Sequence, residues 1–306
     1  MSATRLGGVL AAGGFAVTAE LGPPRDPDAA VVRAAGRALR DHVTAVNVTD
    51  NPAATVKMSP VACAALLLDE GLEPILQLTS RDRNLMALQA ELLGAWALGV
   101  RSVLALGGDP VTVGVYDGLA AEVRDVDAAG LARVITGLNA GRLAAGEPLE
   151  MPTGFLIIGA ANPLVDAPDR LRAKIDAGVS VLQSNIVYDV ERFARWLEPV
   201  VEAGITEAAP ILVGVTPPRS LRALEYMHER IPGVEVDDAT FARMRGLDGE
   251  RAMDEGIAIA AEIIAGLREL PDVAGVHLMA PGWEVEAVPR VVELAADALG
   301  PAATAS

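Results

Sequence analysis

The sequence holds a single cysteine, Cys63, among 306 residues, which excludes an intrachain disulfide framework and any cysteine-rich metal site. Its three histidines, His42, His228 and His277, are dispersed along the chain and do not form the clustered pattern of a zinc site, so no metal is expected. Aromatic residues make up only 3%, so the core has to be built from Ala, Val, Leu and Ile. Basic residues are also scarce. Lys and Arg number 25 against 41 Asp and Glu, a formal net charge of −16. That opposes general nucleic-acid binding, which needs clustered cations for phosphates, and docking on anionic membranes. The Ala-rich stretches at 251–270 and 284–299 are interrupted by charges, so neither reads as a membrane span. The opening segment resembles a signal peptide only superficially: four glycines break its apolar part, and it runs directly into a strand pattern at Phe15–Glu20. A reducing cytoplasm is the expected compartment.

What is present is apolar and periodic. Hydrophobic residues make up 51% of the chain, enough for a substantial core. Short β-branched runs at 15–20, 43–48, 73–78, 102–106, 154–159, 179–184, 210–215 and 274–279 alternate with helix-period stretches. Those stretches lie at about 28–40, 59–70, 84–98, 127–140, 168–177, 190–203, 219–230 and 250–270, with a last helix near 284–298. The strand runs show little in/out alternation, as parallel strands covered on both faces do. Eight strand–helix units predict an α/β fold, a TIM (β/α)8 barrel over 1–306 as one domain with extra helices. Residues 1–14 form a lead-in segment and 300–306 a disordered tail, while 107–126 and 141–153 are loop insertions. A doubly wound sheet is the competitor, disfavoured because Glu20-Leu21-Gly22-Pro23-Pro24 stands where a glycine-rich phosphate turn would follow the first strand.

In a barrel the reactive groups sit where strands end. Those positions supply Glu20; Asn47, Thr49 and Asp50; Gln77, Thr79, Arg81 and Asp82; Gly107, Gly108 and Asp109; Asn162; Gln183 and Asn185; Thr216; and His277. Strands must end in something hydrophilic, which accounts for about half of these. It accounts poorly for Glu20, a carboxyl inside an apolar run, where desolvation would raise its pKa and suit it to proton donation.

The motifs Ala19-Glu20-Leu21-Gly22-Pro23-Pro24, Val46-Asn47-Val48-Thr49-Asp50-Asn51, Leu76-Gln77-Leu78-Thr79-Ser80-Arg81-Asp82-Arg83-Asn84 and Leu106-Gly107-Gly108-Asp109-Pro110 resemble the methylenetetrahydrofolate reductase family. So do Gly159-Ala160-Ala161-Asn162-Pro163, Lys174-Ile175-Asp176-Ala177-Gly178 and Gly275-Val276-His277-Leu278-Met279. The resemblance covers nearly the whole chain in order. It implies a TIM barrel holding FAD, in which NADH or NADPH reduces the flavin and the flavin then reduces a methylene-bearing folate to methyltetrahydrofolate, within one-carbon metabolism. By the same resemblance Glu20 protonates the folate nitrogen, and Asp109 contacts the pterin and tunes the flavin. FAD would contact Thr49, Gln77, Thr79, Gly107, Gly108, Asp109, Ala160, Asn162 and Lys174. The substrate would contact Gln183, Asn185, Met227 and His277. Departures from the family pattern fall at Gly107, at Asn185 in place of a glutamine, at Met227 in place of an aromatic residue, and in the loop Val111–Gly118. They leave two alternatives open: a divergent paralogue, either flavin-independent or acting on another pterin or one-carbon carrier, and a non-catalytic folate- or flavin-binding subunit. A homo-oligomer is compatible with all of these.

Several residues have a structural explanation beside the functional one. Cys63 reads as apolar helix packing, Asp189 as the N-cap of the helix at 190–203, and His277 as a barrel histidine or an acid–base group. Arg81, Asp82 and Arg83 read either as a solvated loop or as partners for a pyrophosphate or a glutamate tail. With Lys57, Arg219 and Arg222 they make a basic rim suited to an anionic ligand.

Overall fold

The computed structural model describes residues 4–300; of the expected tail at 300–306, all but Gly300 lies outside the described residues. The chain runs α1 (Arg5–Ala11), β1 (Ala16–Leu21), α2 (Ala29–Leu39), β2 (Ala45–Val48), α3 (Pro60–Asp69), β3 (Pro74–Thr79), α4 (Leu85–Ala97) and β4 (Ser102–Leu106). It continues with α5 (Ala128–Asn139), β5 (Leu156–Ala161), α6 (Pro168–Asp176), β6 (Val181–Ile186), α7 (Val190–Glu202), α8 (Ile205–Ala208), β7 (Ile211–Val215) and α9 (Leu221–Arg230). The last elements are α10 (Asp238–Met244), α11 (Gly249–Arg268), β8 (Val273–Leu278), α12 (Glu284–Leu294) and α13 (Ala296–Leu299). All eight strands are parallel and close in sequence order, β8 pairing with β1. This is the expected TIM barrel. No described helix is long and apolar enough to cross a membrane.

Side chains alternate across each strand, and the buried apolar residues separate into two sets accordingly. Val17, Ala19 and Leu21 of β1 point outward with Val46, Val48, Leu76 and Leu78 into the layer beneath the helices. Ala16, Ala45, Ile75, Leu104, Leu156, Ile158, Val181 and Leu212 point inward and fill the barrel, joined from below by Leu6 of α1. Thr4 caps α1 by accepting the Gly7 N–H, and the Glu73 carboxylate accepts the N–H groups of Arg5 and Leu6. The lead-in segment thus plugs the barrel floor.

The helices start where capping chemistry is available. Asp28, Asn84, Asp127, Asp189, Ser220 and Asp237 each accept a first-turn N–H, so Asp189 has its structural role. Strands β5 and β6 begin two residues later than the expected 154–159 and 179–184. Phe155, placed inside the first of those runs, instead packs edge-on against Trp96. The short α8 and α10 were not expected.

Candidate active site

Going up the barrel from its apolar floor, the inward positions turn polar: Thr18 and Glu20 on β1, Asn47 on β2, Gln77 on β3, Gln183 and Asn185 on β6 and His277 on β8. Register sets Glu20 beside Asn47, and Thr18 beside His277. Above them two cavities open. One, of about 510 Å³, is polar and lies over β2 to β6, with Asp109, Asn162, Arg170 and Lys174 in its wall. The other, of about 580 Å³, is apolar and lies over β7 and β8, walled by Met227, Tyr226, Trp283, Pro217 and Pro281, with Arg219 and Arg222 also in its wall. Glu20, Asn185 and Met279 belong to both, so Glu20 stands where the two cavities meet.

Gln77 Nε2 donates to Glu20 Oε2 at 3.0 Å. Burial pushes the Glu20 carboxyl up to about 7, with the charge of Glu284 adding to the rise and the Gln77 hydrogen bond opposing it. A carboxyl in that range carries a transferable proton near neutrality. Beneath it the polar groups satisfy one another. Asn47 Nδ2 donates to Gln183 Oε1 at 2.8 Å, and Gln183 Nε2 donates back to Asn47 Oδ1 at 3.3 Å. His277 Nδ1 lies 3.0 Å from Thr18 Oγ1, and burial pushes its pKa down to about 3, leaving a neutral ring. Gln183 therefore lines the cavity with its amide already committed to Asn47, a constraint the strand pattern cannot show.

Asp109 follows β4 through Gly108, whose φ of +79° is left-handed; a Cβ there would stand 3.0 Å from Thr79 Cβ, so the turn requires glycine. Asp109 Oδ2 accepts the Ala53 N–H at 2.8 Å, in a turn where Asn51, Ala53 and Ala54 all take positive φ. Arg81 ties these loops together. It is 2% exposed, forks onto both Asp82 oxygens at 2.7 Å, and donates to the carbonyls of Asp109 and Asn51. Arg83 pairs with the buried Asp50, which also accepts from the Thr79 N–H and hydroxyl. Neither expectation for this charge run holds: the two guanidiniums are neither solvated nor open to a phosphate, because the buried Asp50, the exposed Asp82 and backbone carbonyls occupy them. Arg124 covers the Gly107 and Gly108 carbonyls.

Of the positions the resemblance assigns to FAD, Gln77, Asp109, Ala160, Asn162 and Lys174 line the polar cavity. Thr49, Thr79, Gly107 and Gly108 do not; Thr79 is bonded to Asp50, the Thr49 hydroxyl is buried without a partner, and the two glycines are half-buried. Lys174 donates to the Ala160 carbonyl at 2.6 Å and to the buried Asp166 at 2.7 Å. One turn earlier on α6, Arg170 Nε sits 3.1 Å from the same carboxylate, its side chain mostly exposed. Asn162 packs against Gly233, where φ is +85° and a Cβ would stand 2.1 Å from its Nδ2. The donor set suits a dinucleotide: cations one turn apart at the mouth, amides and a carboxylate for ring edges, and Leu104, Leu106 and Ala160 as an apolar face. On the substrate side Asn185 and His277 line the polar cavity, Asn185 and Met227 the apolar one. Sequence reasoning missed Thr18, Asp166, Arg170, Tyr226, Trp283 and Glu284. The alternation Thr18–Glu20 on β1 would have found the first; the others reach the mouth from helices and loops and leave no periodic signal.

No curated protein matches the chain. Among solved structures, an uncharacterized protein from Clostridium thermocellum described as binding two copies of 5-methyl-5,6,7,8-tetrahydrofolic acid aligns at a TM-score of 0.69. Identity is 13% over 97% of this chain and 99% of that one. The EDTA monooxygenase EmoA from Chelativorans sp. BNC1 aligns at 0.59 with 12% identity, over 96% of both chains. Tryptophan synthase from M. tuberculosis aligns at 0.52 with 14% identity, over 97% of this chain and 98% of that one. At these identities the likeness shows a shared barrel alone. The sequence model of methylenetetrahydrofolate reductase, by contrast, matches residues 5–293, and the chain belongs to the methylenetetrahydrofolate reductase family.

Proposed function

We propose that this protein is an oxidoreductase that reduces the one-carbon bridge of a methylene-bearing tetrahydrofolate to a methyl group, with hydride originating on NADH or NADPH. The observation that carries the reading is Glu20, an acid of raised pKa held by Gln77 at the junction of a polar and an apolar cavity. Opening the methylene bridge expels a nitrogen, and that nitrogen needs a proton. Glu20 Oε supplies it, and Gln77 holds the carboxyl in place before and after transfer. His277, neutral and facing the cavity, adds no competing charge. The apolar walls of Trp283, Met227 and Met279 exclude water from the reacting rings. Arg170, mostly exposed, would hold FAD phosphates, and Gln77, Asp109 and Asn162 its ring edges; the group would supply a hydride carrier between nicotinamide and folate. Membership of the family and the printed description of the C. thermocellum protein support a folate as substrate.

A second reading passes hydride directly from nicotinamide to folate. It is favoured by two cavities of similar size that meet at one acid, room for two planar ligands together. The absorbance spectrum of the purified protein separates the readings. Flavin bands with ping-pong kinetics support the first; a colourless protein, unchanged by added FAD and turning over sequentially, supports the second. For either, Glu20→Gln is expected to lose about 10²–10⁴-fold in kcat while remaining folded by circular dichroism. A fully active Glu20→Gln would end both.

A further inference from the structure

Of the buried acids among the described residues that take no part in the proposed reaction, Asp50 and Asp166 are paired with cations and Glu284 is not. Glu284 opens α12 and is 8% exposed. Its Oε1 accepts the Gly22 N–H at 3.3 Å, only two residues beyond Glu20 on the other side of the β1 terminus. The arginine of its own helix is engaged elsewhere, Arg290 bonding Asp254 and lying near Glu286. Among the described residues no cation pairs with Glu284. The helix N-terminus and the Gly22 N–H both favour negative charge at this position, which explains why a carboxylate is tolerated there. Neither explains why it lies unpaired beside the acid at the cavity junction.

We propose that Glu284 is a positioning residue for the proton of Glu20: its uncompensated negative charge, delivered from α12 to the end of β1, keeps Glu20 in the protonated form between turnovers. The proposal rests on Glu20 being the proton donor. Two carboxyls whose surroundings treat charge differently divide into one that stays an anion and one that keeps a proton. Of the other groups around Glu20, Arg170 and Lys174 are held on Asp166, and Arg222, like Arg219, lines the apolar cavity. Gln77 from β3 donates to the carboxylate and favours its ionised form. His277 from β8 is neutral, and Asn185 from β6 carries no charge. Asp109, beyond β4, is exposed and bonded to Ala53. Arg219, beyond β7, stacks over Trp283 at 6.0 Å from its ring centre and would pull in the opposite direction. Burial is the main reason Glu20 holds its proton, and Glu284, bonded two residues farther along the backbone, adds the negative charge that acts in the same direction.

The test is the Glu20 titration, followed in the full-length protein by infrared difference spectroscopy of the carboxyl band, with Glu20→Gln to assign it. Glu284→Gln keeps an acceptor for Gly22 and removes only the charge. It is expected to lower the Glu20 midpoint by about 0.5–1 pH unit and to move the alkaline limb of kcat/KM by the same amount with little change in KM. Glu284→Asp retains the charge, one methylene farther back, and should move the midpoint less; it also serves if the neutral variant does not fold. An unmoved midpoint in both, or equal shifts in both, overturns the inference, the second because packing rather than charge would then be at work. An unmoved midpoint with an inactive Glu20→Gln overturns the inference alone. A midpoint that moves in Glu284→Gln while Glu20→Gln keeps full turnover overturns the catalytic reading of Glu20 alone.

Discussion

Glu20 and His277 occupy the same barrel mouth and answer burial in opposite directions. Each is pushed toward its neutral form, the acid up to about 7 and the imidazole down to about 3. Near neutral pH about half of the Glu20 carboxyls therefore keep a proton, beside an uncharged ring. With Glu20 as the proposed proton donor the protonated acid is the competent form, so kcat/KM should fall as pH rises through about 7, checked by a pH–rate profile. Stability follows the same proton. Glu20 titrates near 4.5 when unfolded and about 7 when folded, so its favourable contribution is complete below 4.5 and is lost as pH rises through 7. Glu20→Gln removes that loss. Its melting temperature should exceed that of the parent at pH 8, and the difference should shrink toward zero near pH 4.5.

At the scale of elements, the mouth is held by loop-to-loop ties that strand pairing does not supply. Arg81 joins the loops after β2 and β4 by donating to the Asn51 and Asp109 carbonyls while neutralised by Asp82. The turn it supports includes Ala53 and Ala54 at φ +49°, a left-handed conformation that costs an L-residue about 1–2 kcal/mol. Arg81→Leu strands Asp82 and frees both carbonyls. We expect a loss of about 1–3 kcal/mol in urea unfolding from the hydrogen bonds left unmade, with ligand affinity falling as well because Asp109 loses its anchor. A solvated loop arginine would show neither effect. Arg-Asp-Arg after a strand was legible as functional or solvated, but not as a buried clasp, because its acceptors come from β2 and β4 loops remote in sequence.

Over the whole molecule, the catalytic candidates sit at one end of the barrel and the packing at the other. Leu6, fully buried under the interior layer, closes the floor. Leu6→Ala should cost about 3 kcal/mol through the cavity it leaves, while affinity for the proposed folate ligand at the far end stays unchanged in a titration. The architecture was largely present in the sequence: eight apolar runs alternating with helical ones, and an acid set in the first run. Even the two-residue offset at β5 and β6 did no harm, since a shift of two preserves which side chains face inward, and Ala160 and Gln183 still line the cavity. Past a strand's last paired residue that alternation ends, so Thr49 and Gly107 could be placed at the rim but not assigned to its inner or outer side. The barrel, its inward polar ring and Glu20 as the unusual acid were written in the chain, because period and hydropathy are local properties. Which polar groups remain free and which are spent on each other, as Asn47 and Gln183 are, emerged with folding. Folding alone placed Glu284 beside Glu20, with 262 residues separating Glu284 from the Gly22 it touches. Electrostatic and hydrogen-bond energies depend on distance in space, and no local pattern in the chain records that distance.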